Sequence, residues 1–161
     1  MVIVVMGVAG SGKTTIGRAL AQALGWSFRD ADEFHPPANV AKMSAGRPLD
    51  DCDRAPWLVA IRTHIDETLA RDENAVVTCS ALKASYRNLL VSDPTQVRLV
   101  HLTGDPVLLA TRLAGRRGHF MGPEMLASQL AVLQSPRDAL VVDVAQPPAA
   151  LVAQIRRALH L

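Results

Sequence analysis

Cysteine is scarce in this sequence, and it has neither long apolar runs nor blocks of like charge. The two cysteines, Cys52 and Cys79, form no Cys-x-x-Cys pair and have no paired histidine spacing, which argues against zinc and predicts reduced thiols. The early apolar run Val2–Met6 is far shorter than the roughly 18 residues that span a bilayer, and no basic leader precedes it. We therefore expect a cytoplasmic protein with no export signal and no membrane partner.

The charge of the chain is nearly balanced. Among 161 residues, 17 Lys and Arg stand against 15 Asp and Glu, which gives a formal net charge of +2. Non-specific polyanion binders concentrate like charge in patches and tails, so nucleic acid is not an expected partner. The length fits one domain with an ordinary apolar core, and we expect a single domain over residues 1–161.

Short β-branched runs alternate with helical patterns along the chain. Continuous apolar runs predict strands that helices cover on both faces, and apolar residues at helical spacing predict the helices between them. The predicted strands are Val2–Val5, Val76–Cys79, Val97–Leu102 and Leu140–Val144, with a weaker candidate at residues 27–29. The predicted helical stripes cover residues 16–24, 58–69, 108–113, 126–133 and 151–159. This alternation indicates an α/β protein with a parallel sheet.

Residues 7–14 read Gly-Val-Ala-Gly-Ser-Gly-Lys-Thr, the phosphate-loop pattern G-x-x-x-x-G-K-[ST], between a predicted strand and a predicted helix. Glycines let successive N–H groups point at phosphate oxygens, and the helix that follows offers the positive end of its dipole. We expect Lys13 to reach the β- and γ-phosphates of ATP and Thr14 to bind Mg²⁺. The nucleotide-binding residues expected here are Gly7, Gly10, Ser11, Gly12, Lys13, Thr14 and Thr15.

A phosphate loop alone does not distinguish a motor, a switch and a kinase. No aspartate begins an Asp-x-x-Gly, and no lysine lies in an Asn/Thr-Lys-x-Asp, so the patterns of a GTPase are missing. The strand at Val76–Cys79 does not end in an aspartate of the Walker B type. An acidic contact to magnesium must therefore come from elsewhere in the chain.

Asp30 and Asp32 follow the weaker strand candidate and are the acidic residues best placed for that contact. A parallel sheet presents the carboxyl ends of its strands to one crevice, and alternation puts both side chains on one side of an extended segment. One carboxylate could hold Mg²⁺ while the other orients or deprotonates an acceptor hydroxyl; an Asx turn that caps a helix is the alternative. Asp30 is the expected metal ligand and Asp32 the expected catalytic residue, although the sequence leaves open which takes which role.

Taken together, the motifs resemble those of the small P-loop gluconate kinases (gluconokinases), and the match covers nearly the whole chain. The most specific elements are His35-Pro36, the Pro-Leu-x-Asp-x-Asp-Arg run at residues 48–54, and Ser80-Ala81-Leu82-Lys83. The others are the phosphate loop, Asp30-Ala31-Asp32-Glu33-Phe34, Asn39, Lys42-Met43, Pro56-Trp57-Leu58, Tyr86-Arg87 and Gly118-His119-Phe120.

The resemblance implies a three-layer P-loop kinase fold, with a five-stranded parallel sheet and helices on both faces. It also implies a small helical substrate-binding segment at about residues 32–57 and a lid at about residues 115–123. The implied reaction is in-line transfer of the γ-phosphoryl group of ATP to D-gluconate, with Mg²⁺, giving 6-phospho-D-gluconate. A homodimer is implied as well.

Gluconate carries hydroxyls and a carboxylate, so its site needs cations, donors and acceptors. The resemblance assigns substrate binding to His35, Arg54, Lys83 and Arg87, with Asp32 as the acceptor group. Each has a structural alternative: Arg54 could pair with Asp50 or Asp51, Arg87 could be a solvated helix residue, and His35 could cap a turn.

The basic loop after residue 111 resembles the lid of these kinases. Arg116 and Arg117 are expected to stabilise the charge of the transferring phosphoryl group, and Arg112 to reach adenine or a phosphate. By analogy, residues 143–148 would border the adenine. The alternative for the arginines is a solvated basic turn at a helix C-terminus.

Two other functions remain open at this stage. A kinase for shikimate or a nucleotide would share the phosphate loop, the acidic pair and the lid. Against shikimate, Ser80-Ala81-Leu82-Lys83 occupies a place where a glycine-rich turn is expected. A regulatory protein would bind ATP without turnover.

Overall fold

Five parallel strands form the centre of the fold and pair in the order β2-β3-β1-β4-β5. They are β1 (Val2–Met6), β2 (Ser27–Asp30), β3 (Ala75–Cys79), β4 (Val97–Thr103) and β5 (Leu140–Asp143). This description comes from a computed structural model and covers residues 1–115 and 123–161. All five predicted strands are confirmed, including the weaker candidate at residues 27–29.

Helices connect the strands and account for all of the predicted stripes. They are α1 (Lys13–Leu24), α2 (Pro37–Ser44), α3 (Asp51–Ala70), α4 (Ala84–Leu90), α5 (Pro106–Ala114), α6 (Pro123–Val132) and α7 (Pro148–Leu159), with a 3-10 turn at Ala31–Phe34. The stripes did not predict α2 and α4. Both are short, and α2 has Asn39 as its buried residue rather than an apolar stripe. None of the helices in residues 1–115 and 123–161 is long and apolar enough to cross a bilayer.

The sheet separates two apolar cores, as its central strand β1 illustrates. Ile3 and Val5 belong to the core that α1, α5, α6 and α7 cover, whereas Val2, Val4 and Met6 belong to the core under α3 and α4. Alternate residues of a strand point to opposite faces, so an unbroken apolar run is required when both faces are covered. The three-layer α/β fold with a five-stranded parallel sheet is therefore confirmed.

The strand order brings the loops that carry the motifs to one edge of the sheet. β1 lies between β3 and β4, so the chain leaves it toward one side for β2 and β3 and later crosses to the other side for β4 and β5. In open parallel sheets, ligands bind outside the carboxyl ends of the strands at such a switch point. The phosphate loop after β1, the acidic turn after β2 and the loop after β3 all lie at this edge.

Candidate active site

The phosphate loop occupies residues 7–12, between the end of β1 and the start of α1 at Lys13. Two of its glycines lie against the backbone of neighbouring elements. A Cβ on Gly7 would lie 2.6 Å from the carbonyl oxygen of Leu102, and one on Gly10 would lie 2.7 Å from that of Leu109. Gly10 also has φ +80°, in the left-handed region that favours glycine. Glycine is therefore required at both positions for the loop to adopt this path.

The carbonyl oxygen of Val8 organises the rest of the loop. It accepts a hydrogen bond from Ser11 Oγ at 2.8 Å and one from Lys13 Nζ at 3.0 Å. Gly12, with φ +84°, then leads into the first turn of α1. The expected nucleotide-binding residues from Gly7 to Thr15 thus form one continuous loop and helix N-terminus.

Thr14 and Asp30, the two expected metal ligands, are in contact. Thr14 Oγ1 donates to Asp30 Oδ2 at 2.9 Å. The other oxygen, Asp30 Oδ1, accepts from the backbone N–H of Asp32 at 3.3 Å and caps the 3-10 turn. Asp30 therefore forms the Asx turn that the sequence left as an alternative, and it also presents an oxygen at the start of α1.

Hard oxygen ligands of this kind suit Mg²⁺, which is usually bound through one or two carboxylates, water and phosphate. Within residues 1–115 and 123–161, no cluster of three or more His, Cys, Asp or Glu could hold a metal ion. Thr14 and Asp30 supply two neighbouring oxygen donors, which fit a cation that takes its other ligands from water and phosphate.

A cavity of about 440 Å³ lies between the phosphate loop, α5 and the start of α7; we name it the α5–α7 cavity. Its lining includes Gly10, Ser11, Gly12, Thr15, Thr111, Arg112, Gly115, Val144, Gln146 and Pro148. Arg112 Nη2 donates to the carbonyl oxygen of Val144 at 2.8 Å and so joins α5 to the loop after β5. Arg112 and the loop at residues 143–148 thus lie beside the phosphate loop.

A second cavity, of about 360 Å³, lies between α3, the loop after β3, α4 and α6; we name it the α3–α4 cavity. Its lining is Pro48, Leu49, Asp50, Asp51, Arg54, Ser80, Leu82, Lys83, Tyr86, Ser128, Gln129 and Val132. Two of the expected substrate-binding residues, Arg54 and Lys83, are thus brought together from α3 and the loop before α4.

Asp51 is the main partner of Lys83 in this cavity. Lys83 Nζ lies 2.7 Å from each carboxylate oxygen of Asp51, and the Tyr86 hydroxyl also donates to Asp51. These hydrogen bonds, that of Lys83 foremost, lower the pKa of Asp51. Asp50 lies 3.8 Å from Lys42, and no ion pair in residues 1–115 and 123–161 joins Arg54 to Asp50 or Asp51. The surface pairing considered for Arg54 is therefore not seen in the described residues.

His35 lies against the N-terminal part of α3. Its ring stacks on Trp57 with 4.6 Å between centroids and 9° between planes, and Asn39 Nδ2 lies 3.4 Å from His35 Nδ1. Burial lowers the pKa of His35. The negative charge of Asp32 raises this pKa and the positive charge of Arg54 lowers it further, but burial is the largest effect. The His35 backbone N–H closes the 3-10 turn, as the structural alternative expected. The ring is in addition stacked on Trp57, and the charges of Asp32 and Arg54 act on it.

Trp57 links this histidine to the acidic turn. The indole is 3% exposed, and its Nε1 donates to the carbonyl oxygen of Ala31 at 2.7 Å. A buried indole normally finds a partner for its N–H, and here that partner is the residue between Asp30 and Asp32. Trp57 is thus both a core residue and a support for the site.

The structure places Arg87 below the loop after β3 rather than on the described lining of the α3–α4 cavity. It is 7% exposed, and its Nη1 donates to the carbonyl oxygens of Ala81 and Leu82 at 3.0 Å each. Burial lowers its pKa. Ala81 has φ +42°, so this loop contains a residue in the left-handed region that the guanidinium helps to hold. Arg87 is therefore neither a solvated helix residue nor a lining residue.

The sequence of this chain is similar to those of known kinases. The family model described as "Shikimate kinase" matches residues 9–154. A relative named "Gluconokinase" from Gluconobacter oxydans is 51% identical over 136 residues, which are 84% of this chain and 76% of the relative. The chain belongs to the gluconokinase family. Membership of this kinase family implies ATP as the phosphoryl donor.

Two solved structures are also similar to this chain over nearly its whole length. A gluconokinase from Sinorhizobium meliloti is 48% identical with a TM-score of 0.86, over 98% of this chain and 90% of that one. An unliganded sugar kinase from Janibacter is 41% identical with a TM-score of 0.90, over 99% of this chain and 94% of that one. Among the expected gluconokinase residues, Arg116 and Arg117 lie outside the described residues.

Two glutamines that follow the expected lid were not among the site residues predicted from the sequence. Gln129 on α6 accepts from the backbone N–H of Ala9 at 2.6 Å and also lines the α3–α4 cavity. Beyond α6, Gln134 donates through its backbone N–H to the Leu82 carbonyl at 2.9 Å and accepts at Oε1 from the Ala84 N–H at 2.6 Å. Neither belongs to an apolar stripe or a charge pattern, so periodicity could not identify them.

Proposed function

We propose that this chain transfers the γ-phosphoryl group of ATP to D-gluconate, which forms ADP and 6-phospho-D-gluconate. The observation that carries the proposal is the α3–α4 cavity, where Arg54 and Lys83 lie beside acidic and hydroxyl groups near the phosphate loop. Such a mixture suits a polyhydroxy carboxylate, because the carboxylate needs cations and the hydroxyls need acceptors and donors. The 51% identity to the Gluconobacter oxydans relative named gluconokinase supports this choice of acceptor.

Phosphoryl transfer relies on positioning and on stabilising negative charge. In our proposal the phosphate loop and Lys13 hold the β- and γ-phosphates, while Thr14 and Asp30 hold Mg²⁺. When bound, Mg²⁺ would neutralise part of the charge on the phosphate oxygens. Arg54 and Lys83 would bind the gluconate carboxylate. His35, which stacks on Trp57 at the same end of α3, is proposed to bind the substrate as well.

Asp32 is proposed as the group that receives the proton of the attacking hydroxyl. It is exposed in the 3-10 turn after β2, and its charge acts on His35. A bond forms between the gluconate hydroxyl oxygen and the γ-phosphorus, the bond to the bridging oxygen breaks, and ADP leaves. A carboxylate in this role orients the hydroxyl and accepts its proton.

Arginines complete the proposed nucleotide site. Arg112 lies on the α5–α7 cavity, beside the loop that would border the adenine. Arg116 and Arg117 are proposed to stabilise the charge of the transferring group when the lid closes, on the basis of the sequence. Arg87 is proposed to act on gluconate through the loop that it supports.

We also propose that residues 1–161 form a single domain. In the cell, we propose, the protein is cytoplasmic and forms a homodimer. Light scattering after size-exclusion chromatography tests the dimer, for which a mass of one 17.3 kDa chain would be contrary evidence.

ADP release with Mg²⁺ and ATP tests the activity across an acceptor panel of gluconate, other aldonic acids, glucose, shikimate, nucleoside monophosphates and no acceptor. Selective turnover with gluconate, with the product oxidised by 6-phosphogluconate dehydrogenase, is expected. Turnover only with shikimate or a nucleotide would retain the kinase and overturn the acceptor. Binding of ATP with no turnover would favour the regulatory function.

A further inference from the structure

Gln129 connects the phosphate loop to the α3–α4 cavity. Its Oε1 accepts a hydrogen bond from the backbone N–H of Ala9, the third residue of the loop, at 2.6 Å. The same side chain lines the cavity that contains Arg54 and Lys83. In the proposed reaction the phosphoryl group passes from a nucleotide on the loop to an acceptor in this cavity, and Gln129 contacts the loop and lines the cavity.

The hydrogen bond from Ala9 determines which way the carboxamide faces. A backbone N–H can only donate, so the Gln129 oxygen must be the atom that faces Ala9. The Nε2 atom, with its two N–H donors, is on the other branch of the planar amide and therefore faces away from the loop. Gln129 also lines the α3–α4 cavity, so we expect this neutral donor to be available to a molecule bound there.

Helix α6, which carries Gln129, is held in place on either side of that residue. Leu126, one turn before it, is 4% exposed in the core. Gln134, just beyond α6, makes one hydrogen bond to Leu82 in the loop before α4 and one to Ala84, the first residue of α4. The carboxamide is therefore presented from a fixed element, as specific recognition of a substrate hydroxyl requires.

We infer that Gln129 is an acceptor-binding residue whose Nε2 donates to a gluconate hydroxyl next to the reacting one. This inference rests on the proposed function. The cations Arg54 and Lys83 suit the carboxylate, whereas a neutral donor beside the phosphate loop suits the end that receives the phosphoryl group. With phosphorylation at C6, the nearest hydroxyl that does not react is that at C5.

The test compares the wild type with Gln129→Met, which keeps an unbranched side chain and removes the donors, and with Gln129→Glu, which keeps an oxygen for the Ala9 N–H. Loss of one hydrogen bond to the substrate predicts a KM for gluconate raised roughly 10-fold in both variants. The KM for ATP should rise less than the KM for gluconate, although Gln129→Met also removes the acceptor for the Ala9 N–H of the phosphate loop. Gln22→Met and Gln22→Glu, on the exposed face of α1, are matched controls and should behave as the wild type. Unfolding curves confirm that each variant is folded.

A structural role for Gln129 would not discriminate between substrate hydroxyls, so deoxy analogues provide the decisive measurement. In the wild type, 5-deoxygluconate should lose roughly 10-fold in kcat/KM relative to gluconate. In Gln129→Met the two substrates should differ by about 2-fold or less, whereas the penalty for 2-deoxygluconate should be the same in both enzymes. An unchanged 5-deoxy penalty in the variant, or a rise in the KM for ATP alone, would overturn the inference.

Turnover of the wild-type protein with the acceptor panel tests the proposed function separately from the Gln129 inference. If it turns over another acceptor of the panel and not gluconate, the proposed function fails, and the KM comparison is made with that acceptor. A KM for that acceptor that the Gln129 variants leave unchanged would then overturn the inference independently. Turnover with no acceptor would overturn both.

Discussion

Thr14 donates a hydrogen bond from its hydroxyl to the carboxylate of Asp30 across 2.9 Å. Sixteen residues separate the two along the chain, and they meet because β2 and the start of α1 reach the same edge of the sheet. A hydroxyl on the helix that follows a phosphate loop is a usual Mg²⁺ ligand, and an adjacent carboxylate orients it or contacts a metal-bound water. We therefore propose that this pair takes the place of the missing Walker B aspartate.

Replacement of Asp30 by Asn should weaken magnesium binding without harming the fold. Asn retains the Asx cap of the 3-10 turn but removes the charge beside Thr14. We expect the Mg²⁺ concentration for half-maximal activity to rise by roughly 10-fold or more. The measurement is turnover at fixed ATP against Mg²⁺. Thr14→Ser, which keeps the hydroxyl, is the control, and an unchanged Mg²⁺ dependence in Asp30→Asn would remove Asp30 from the metal site.

The exposed carboxylate of Asp32 is expected to matter for turnover rather than for nucleotide binding. Asp32→Asn should lower kcat by roughly 10²-fold, because a positioned base is lost, while the KM for ATP changes little. Steady-state kinetics with gluconate measure both. The neighbouring Glu33→Gln changes an exposed carboxylate that pairs with Arg29 at 3.5 Å and provides a matched control. Near-normal turnover in Asp32→Asn would exclude the catalytic role.

Much of the fold could be predicted because the signals that decide it are local. The runs in β1 and β3 are apolar without interruption, and both strands are fully buried, as a sheet covered on two faces requires. α2 could not be predicted in this way. Its eight residues bury Asn39, whose side chain donates to the carbonyl oxygen of Asp53, so tertiary hydrogen bonds rather than an apolar face hold it in place.

The site was predictable where function depends on residue type and spacing, as in the phosphate loop. It was not predictable where roles depend on partners distant in the chain. Lys83 shares its carboxylate partner with Tyr86, although Asp51 is 32 residues away from that lysine. Gln129 meets Ala9 across 120 residues. A single sequence contains no periodicity that connects such residues, so these contacts required the structure.

Arg87 should contribute to stability, since it satisfies backbone groups of a buried loop. Arg87→Met would remove both hydrogen bonds of Nη1 and leave the Ala81 carbonyl without its guanidinium partner. We expect the free energy of unfolding in urea to fall by about 1–3 kcal/mol, the cost of an unsatisfied buried acceptor. Arg71→Met is the control, because Arg71 pairs with Glu73 on the exposed surface at the end of α3 and surface pairs contribute little. Equal stability of Arg87→Met and the wild type would contradict this role.

His35 should make the stability of the protein depend on pH under mildly acidic conditions. Burial lowers its pKa in the folded state below the ordinary value of 6.5, so the folded state disfavours the charged imidazole. The unfolded chain therefore binds more protons at His35 than the folded chain does. The contribution of neutral His35 to the free energy of unfolding is fully present above about pH 6.5 and declines as the pH falls below that value.

His35→Phe isolates this contribution, because phenylalanine can keep the stack on Trp57 but does not titrate. His64 and His101 also have lowered pKa values through burial and remain in the variant. Urea unfolding at a series of pH values from 5 to 8 should show a smaller acid-induced loss of stability in His35→Phe than in the wild type, with the two curves parallel above pH 7. Curves that stay parallel down to pH 5 would show that His35 titrates normally in the folded protein.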